Sequence, residues 1–146
     1  MSSGFTSTPL FGDALALARQ SWVREMASRL ADHGFDDYRV SDALALRWLA
    51  HHALPFATFT SSLGVSRQNA RKVVDGLVER SFAVIEADPV DARRRNVRLT
   101  TKGDAYATAV IDTLHTLNDE LSEKIDPLQL DAAISVLKYV RNNFGT

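Results

Sequence analysis

The sequence predicts a mainly helical chain with one small β-hairpin near its middle, and three observations predict it. Apolar residues recur at spacings of three and four through long stretches at both ends. Between residues 82 and 99 the pattern changes to short runs with β-branched residues around the polar loop "DPVDARRR". The 146 residues, 45% of them apolar, suffice to bury a core within one domain.

The first segment, "LFGDALALARQSWVREMASRLADHG", places Leu15, Ala18, Trp22, Met26 and Leu30 on one helical face and ends at Gly34. Ser41 is in position to cap a second helix, "SDALALRWLAHHAL", whose apolar residues run nearly all round it. Such a helix is expected to be buried on more than one side. The next piece, "PFATFTSSLGVSRQNARKVVDGLVER", divides around "LGVS". Pro55 is tolerated in a first turn, Gly64 supplies a left-handed turn, and Ser66 caps the helix that follows. The strands "FAVIEA" and "NVRL" come next, joined by a loop longer than a two-residue turn. Two helices around a tight turn, followed by a hairpin, make a winged helix-turn-helix.

Thr100 is in place to cap a long helix with a narrow seam of Val110, Leu114, Leu117, Leu121 and Ile125. Past Pro127 a last helix repeats the pattern with Leu130, Ile134, Leu137 and Val140. One short domain cannot bury all these faces alone, so the ends are expected to dimerise. The organisation expected is a single domain over 1–146. Within it, 10–33 forms an N-terminal dimerisation helix, 40–100 the winged helix-turn-helix lobe, and 101–146 the C-terminal dimerisation helices.

Charge is distributed unevenly. The formal net charge is -1, yet residues 66–102 hold nine Lys or Arg against five Asp or Glu, leaving eight against thirteen elsewhere. A basic middle between acidic flanks points to one anion-binding face, since attraction to a polyanion is decided within a Debye length of roughly 8–10 Å. On the second helix of the helix-turn-helix, Ala70, Val73, Val74 and Leu77 share one face. The opposite face centres on Gln68, Lys72 and Asp75, flanked by Asn69 and Arg71, with Arg67 adding a cation in the first turn. Amides and cations there are what reading of a DNA major groove requires. In the hairpin, alternation sends Val97 and Leu99 inward and Arg98 outward, leaving Arg93, Arg94 and Arg95 at the tip. A narrow cationic tip fits a minor groove, and Asp91 is placed to hold one guanidinium through an ion pair. The competing reading is a winged helix whose arginines face an acidic protein or bind anions without sequence preference.

Other functions are disfavoured. With no cysteine there is no disulfide, thiolate metal site or cysteine nucleophile. No glycine-rich phosphate loop or His-x-x-x-His helix appears, so neither an enzyme nor a cofactor is expected. His51 and His52, read as neighbours on one helix, diverge by about 100° and do not suit one metal. No apolar run is long enough to span a membrane, and "MSSGFTSTPLFGD" lacks signal-peptide features, so a cytoplasmic protein is expected.

The stretch "LGVSRQNARKVVDGLVERSFAVIEADPVDARRRNVRLTTKG" resembles the MarR family of winged-helix regulators, including its "D-x-R…LT-x-x-G" signature. The resemblance implies a homodimer on pseudo-palindromic double-stranded DNA, often a repressor released by a small, frequently aromatic effector. By matching, Arg93 takes the place of the wing arginine in the minor groove, Asp91 that of its supporting acid, and Arg95 that of the second basic wing residue. Ser66, Gln68, Asn69, Arg71 and Lys72 match the DNA-facing positions of the recognition helix. Trp22, Trp48, His51 and Phe56 are candidates for an effector pocket where the family suggests one, the alternative being that they are core. The chain departs from the pattern at Ser81, where the family has glycine, and Gly76 lies inside the recognition helix at a cost of about 1 kcal/mol relative to alanine.

Overall fold

The computed structural model describes residues 10–145. The leader reading of the first nine residues lies outside them. The elements in order are α1 (Phe11–Asp32), α2 (Asp42–Leu49), β1 (Leu54–Pro55), α3 (Phe56–Ser62), α4 (Arg67–Glu79), β2 (Ala83–Ala87), β3 (Arg95–Leu99), α5 (Thr101–Lys124) and α6 (Pro127–Asn143). This is a mainly helical winged helix-turn-helix with a three-stranded antiparallel wing. The chain divides into two compact units, one reaching to Ile111 and the other beginning at Asp112, so that α5 contributes to both.

In the first unit Met26 and Leu30 of α1, Ala45, Leu46 and Leu49 of α2, Phe59 and Leu63, and Ala70, Val74 and Leu77 of α4 are buried. Phe82, Val97, Leu99, Tyr106 and Val110 complete this core. Helix α2 packs on α3, α4 and β3. It is buried on one side only, through Asp42, Ala45, Leu46 and Leu49, while Leu44 and Trp48 are 41% and 45% exposed. The expectation of burial on several sides fails because the helix has only eight residues and its second apolar face finds no cover within the described chain. Ser41 does not cap it: its backbone is already helical and its side chain accepts no bond. His51 and His52 lie beyond the end of α2, in a bend and not on a helix.

The sequence reading missed a strand. β1, only two residues long, pairs antiparallel with β3 in the order β1-β3-β2, setting Leu54 opposite Val97 and Pro55 opposite Asn96. Proline, lacking an N–H, is tolerated there because β1 is an edge. On the other side β2 pairs with β3 from Ala83–Leu99 to Ala87–Arg95, so Arg95 is the first residue of a strand instead of part of the loop tip.

Two local rules fix how α4 leads into the wing. Arg80 ends the helix and Ser81 takes a left-handed backbone at φ 65°. The Ser81 N–H donates to the Val78 carbonyl and the Phe82 N–H to that of Leu77, which is a Schellman closure built without glycine. Thr100 then serves both ends of the turn. Its hydroxyl donates to the Ser81 carbonyl at 2.6 Å and accepts the Gly103 N–H at 3.0 Å, capping α5. Gly103 has no alternative, since a Cβ there would sit 1.8 Å from the Phe82 carbonyl oxygen.

In the second unit Asp126 caps α6 by accepting the Leu128 N–H at 2.8 Å, with Pro127 at the first helical position. No described residue of α6 is buried, and Leu128, Ile134, Leu137 and Tyr139 are all exposed.

These closures predict opposite outcomes for two glycine exchanges. Ser81→Gly removes left-handed strain and should raise stability by about 0.5–1 kcal/mol. Gly103→Ala should lower it by about 3 kcal/mol through the backbone clash. Urea unfolding of the two variants against the parent checks both.

Candidate nucleic-acid interface

Helix α4 is anchored and oriented by its own sequence. Ser66 accepts the Asn69 N–H at 3.1 Å, satisfying one of the free donors of the first turn. Ala70, Val74 and Leu77 face the core, and Val73 is half-buried beside them. This leaves Ser66, Arg67, Gln68, Asn69, Arg71 and Lys72 exposed together at the N-terminal half of the helix. Arg71 is held twice, by an ion pair to Asp75 at 3.3 Å and by a cation–π contact that sets its guanidinium carbon over the Phe56 ring, 5.2 Å from the centroid.

The wing loop is organised by an acid that the sequence reading passed over. Asp88 accepts the N–H groups of Val90 and Asp91 on Oδ1, at 2.8 and 3.0 Å, and the Asn96 amide on Oδ2 at 3.1 Å. Its own N–H donates to the Arg94 carbonyl, closing the loop. The Asp91 N–H, then the Val90 N–H and then the Asn96 amide hold the Asp88 carboxyl below its ordinary range. Asp91 has two partners within the loop. It accepts the backbone N–H of Arg93 at 3.0 Å, and its ion pair, loose at 3.7 Å, is with Arg94. The carboxylate therefore shapes the backbone under Arg93, and its ion pair goes to Arg94. On the strands, Arg98 forks onto Glu86 at 2.8 and 3.3 Å, which holds the Glu86 carboxyl low.

Between α4 and the wing lies an open cleft of about 830 Å³ lined by Pro55, Phe56, Ala57, Thr58, Arg71, Ile85, Arg93, Arg94 and Arg95. Four guanidinium-bearing residues thus border one space with an apolar floor. Of the four effector candidates only Phe56 lines it. Trp22 is half-buried on α1, Trp48 is exposed on α2 and His51 is exposed past the end of α2. A second cavity, about 340 Å³ and lined by Arg19, Gln20, Val23, Arg24 and Val40, contains none of them. Among the described residues, no three His, Cys, Asp or Glu side chains come together to hold a metal, and no helix is long and apolar enough to cross a membrane.

Behind the recognition helix sits a buried polar cluster with no signature in the sequence. Asp42 is fully buried and receives both Arg80 Nη atoms, at 2.7 and 2.8 Å, the Tyr106 hydroxyl at 2.6 Å and the Arg39 N–H at 3.2 Å. Arg80 Nη1 also reaches the Asp37 carbonyl, and Nε the Gly76 carbonyl. Phe82 stacks on Tyr106 at 4.1 Å, with the Arg80 and Lys102 cations near its ring at 5.3 and 4.9 Å. Burial would lower the Arg80 pKa, but the hydrogen bonds and charge of Asp42 outweigh it and raise it. Burial, then the Asp42 hydrogen bond, pushes the Tyr106 hydroxyl up, and burial with the Asp42 charge takes Tyr38 up to about 12.

A capped helix with an amide and cation face, joined to an arginine-tipped wing, defines a winged helix-turn-helix protein of the nucleic-acid-binding class. Residues 37–94 match the model of the MarR family. The fold is shared with the PcaV regulator of Streptomyces coelicolor, solved with its natural ligand, at TM-score 0.74 and 17% identity over 98% of each chain. It is shared with the repressor CouR, bound to a 23-mer DNA duplex, at TM-score 0.70 and 25% identity over 90% of this chain and 92% of that one. A mutant MarR from E. coli complexed with operator DNA matches at TM-score 0.69 and 20% identity, over 95% and 99%. A search of curated protein sequences returns no match. The match to the MarR family thus covers the helix-turn-helix and most of the wing, and the chain as a whole shares the fold of these transcriptional regulators.

Asp42→Ala leaves the Arg80 cation without its buried partner and should cost about 3–5 kcal/mol of stability, measured by urea unfolding. Stability should also fall as pH rises past 10.0, because unfolded Tyr38 and Tyr106 would ionise there while the folded groups keep their protons. Thermal unfolding of the parent between pH 8 and 11 (about the tyrosine range) tests the sign. Asp88→Ala deletes a negative charge yet should weaken duplex binding, since it releases the Val90 and Asp91 amides; tighter binding would show that loop order contributes nothing.

Proposed function

We propose that the chain is a homodimeric repressor that reads a pseudo-palindromic double-stranded DNA operator, one half-site per protomer, and is released by a small aromatic effector. One observation carries the reading of the interface. Arg71 on the recognition helix and Arg93, Arg94 and Arg95 on the wing line the same cleft. If α4 enters a major groove and the wing tip the neighbouring minor groove, the sugar–phosphate strand between the two grooves passes along this cleft. Its charge then meets four guanidinium groups. Gln68 and Asn69 face the base edges, with Ser66, Arg67 and Lys72 on flanking phosphates, while Asp91 sets the backbone from which Arg93 projects.

The dimer reading assigns residues 10–33 and 101–146 to self-association and 40–100 to DNA. Its support is the exposed apolar side chains of the terminal helices, among them Leu17, Leu128, Ile134, Leu137 and Tyr139. Joining two lobes by such helices sets the half-sites about one helical turn apart. For the effector, the exposed rings of Trp48 and His51 and the half-buried Trp22 offer aromatic surface outside the DNA cleft. The solved PcaV with its natural ligand supports a ligand-responsive role by analogy. Repression is favoured because blocking a promoter requires no further surface.

Footprinting the region upstream of the protein's own gene tests this reading. A protected palindrome bound with sub-micromolar affinity that falls steeply with salt is expected. Equal affinity for heparin and for every duplex would instead show an anion binder without sequence preference. At that operator, Arg93→Ala should cost about 1–3 kcal/mol of binding, and Gln68→Ala should relax preference at one base-pair position of each half-site.

A further inference from the structure

We propose that Phe56 is a positioning residue for DNA recognition: its ring, tied to the wing sheet through Pro55, fixes the direction in which Arg71 leaves the recognition helix. The proposal rests on the DNA-binding reading above and assigns Phe56 a role outside any effector pocket.

The Arg71 side chain is 62% exposed. An exposed arginine explores many rotamers and loses that freedom when it binds. Arg71 nevertheless has two partners. The first, Asp75 at 3.3 Å, is an exposed i,i+4 pair of the kind that contributes little and that a phosphate displaces. The second is the Phe56 ring. A planar guanidinium can keep its face on an aromatic ring while its edge N–H groups remain available to a base or phosphate, so this partner survives DNA binding.

The ring is a fixed reference. Phe56 is half-buried at the first position of α3, directly after Pro55, whose strand pairs it with Asn96 of β3. β3 begins at Arg95, which lines the same cleft as Phe56 and Arg71. The contact therefore registers an arginine of the helix against the arginines of the wing, and both are presented to one strand of DNA at a set spacing.

The test uses the full chain with Phe56→Leu, which keeps apolar bulk but removes the aromatic face, and Phe56→Tyr, which restores it. Each is made alone and with Arg71→Ala. Fluorescence anisotropy compares the footprinted operator with a scrambled duplex of equal length. Phe56→Leu should weaken operator binding roughly two- to five-fold per half-site with a smaller effect on the scrambled duplex. Phe56→Tyr should stay within about two-fold of the parent, and Phe56→Leu should add nothing once Arg71 is alanine. In the free protein, the Arg71 Nε–H proton resonance should carry a ring-current shift that Phe56→Leu abolishes and Phe56→Tyr retains. An equal loss in the Arg71→Ala background, failure of tyrosine to rescue, or unchanged operator affinity overturns the proposal. A parent protein that does not distinguish operator from scrambled duplex overturns the DNA reading itself, and the Arg71 resonance then separates that failure from an absent ring contact.

Discussion

The buried carboxylate of Asp42 is the constraint on which the geometry of α4 and the wing depends. A charge taken out of water is tolerated only when its lone pairs are met, and here two oxygens receive the Arg80 fork, the Tyr106 hydroxyl and the Arg39 N–H. The partners come from the loop before α2, from the last turn of α4 and from the first turns of α5. Satisfying one ion therefore sets the end of the recognition helix against two other helices. Because truncating one partner strands the other, the geometry is held by penalty as much as by attraction.

From that anchor the chain passes directly into the wing. Ser81 turns through the left-handed region, Phe82 lands on Tyr106 beneath the Arg80 cation, and β2 starts one residue later. Thr100 returns β3 to the same turn and Gly103 lets α5 approach the Phe82 backbone. The wing's own charges then divide by role. Arg98 is neutralised by Glu86, and Asp88 and Asp91 are occupied chiefly by backbone N–H groups. Arg93 and Arg95 border the cleft beside Arg94 and, across it, Arg71; the ion pairs of these last two, with Asp91 and Asp75 respectively, are long and exposed. That division explains how a chain with formal net charge -1 presents a cationic face.

What the sequence made legible followed local rules. The Gly64 turn, the Ser66 cap, the inward alternation of Val97 and Leu99 and the Thr100 cap each depend on residues within a few positions, and all are present. Ser81 stood out as a departure from glycine, and the structure places it at positive φ, compensated by the Thr100 hydroxyl on its carbonyl. What stayed hidden depends on distance along the chain. Asp42 and Arg80 are 38 residues apart, and in the sequence one reads as a first-turn acid and the other as part of a basic tract. β1 is two residues containing a proline, visible only once β3 lies beside it. The roles of Asp88 and Asp91 depended on which backbone amides the loop turns toward them, which charge pattern alone does not encode.

The end of α4, the turn at Ser81 and the root of the wing form one cooperative unit locked by the buried ion pair. Native-state amide hydrogen exchange measures this directly, at the Ser81, Phe82 and Thr100 N–H groups that bond the Val78, Leu77 and Phe82 carbonyls. These three amides should exchange only through global unfolding, with opening free energies within about 1 kcal/mol of the stability found by urea denaturation. Exchange of Ser81 and Phe82 through a local opening several kcal/mol (about half the global value) cheaper, while the core of α4 stays protected, would contradict it.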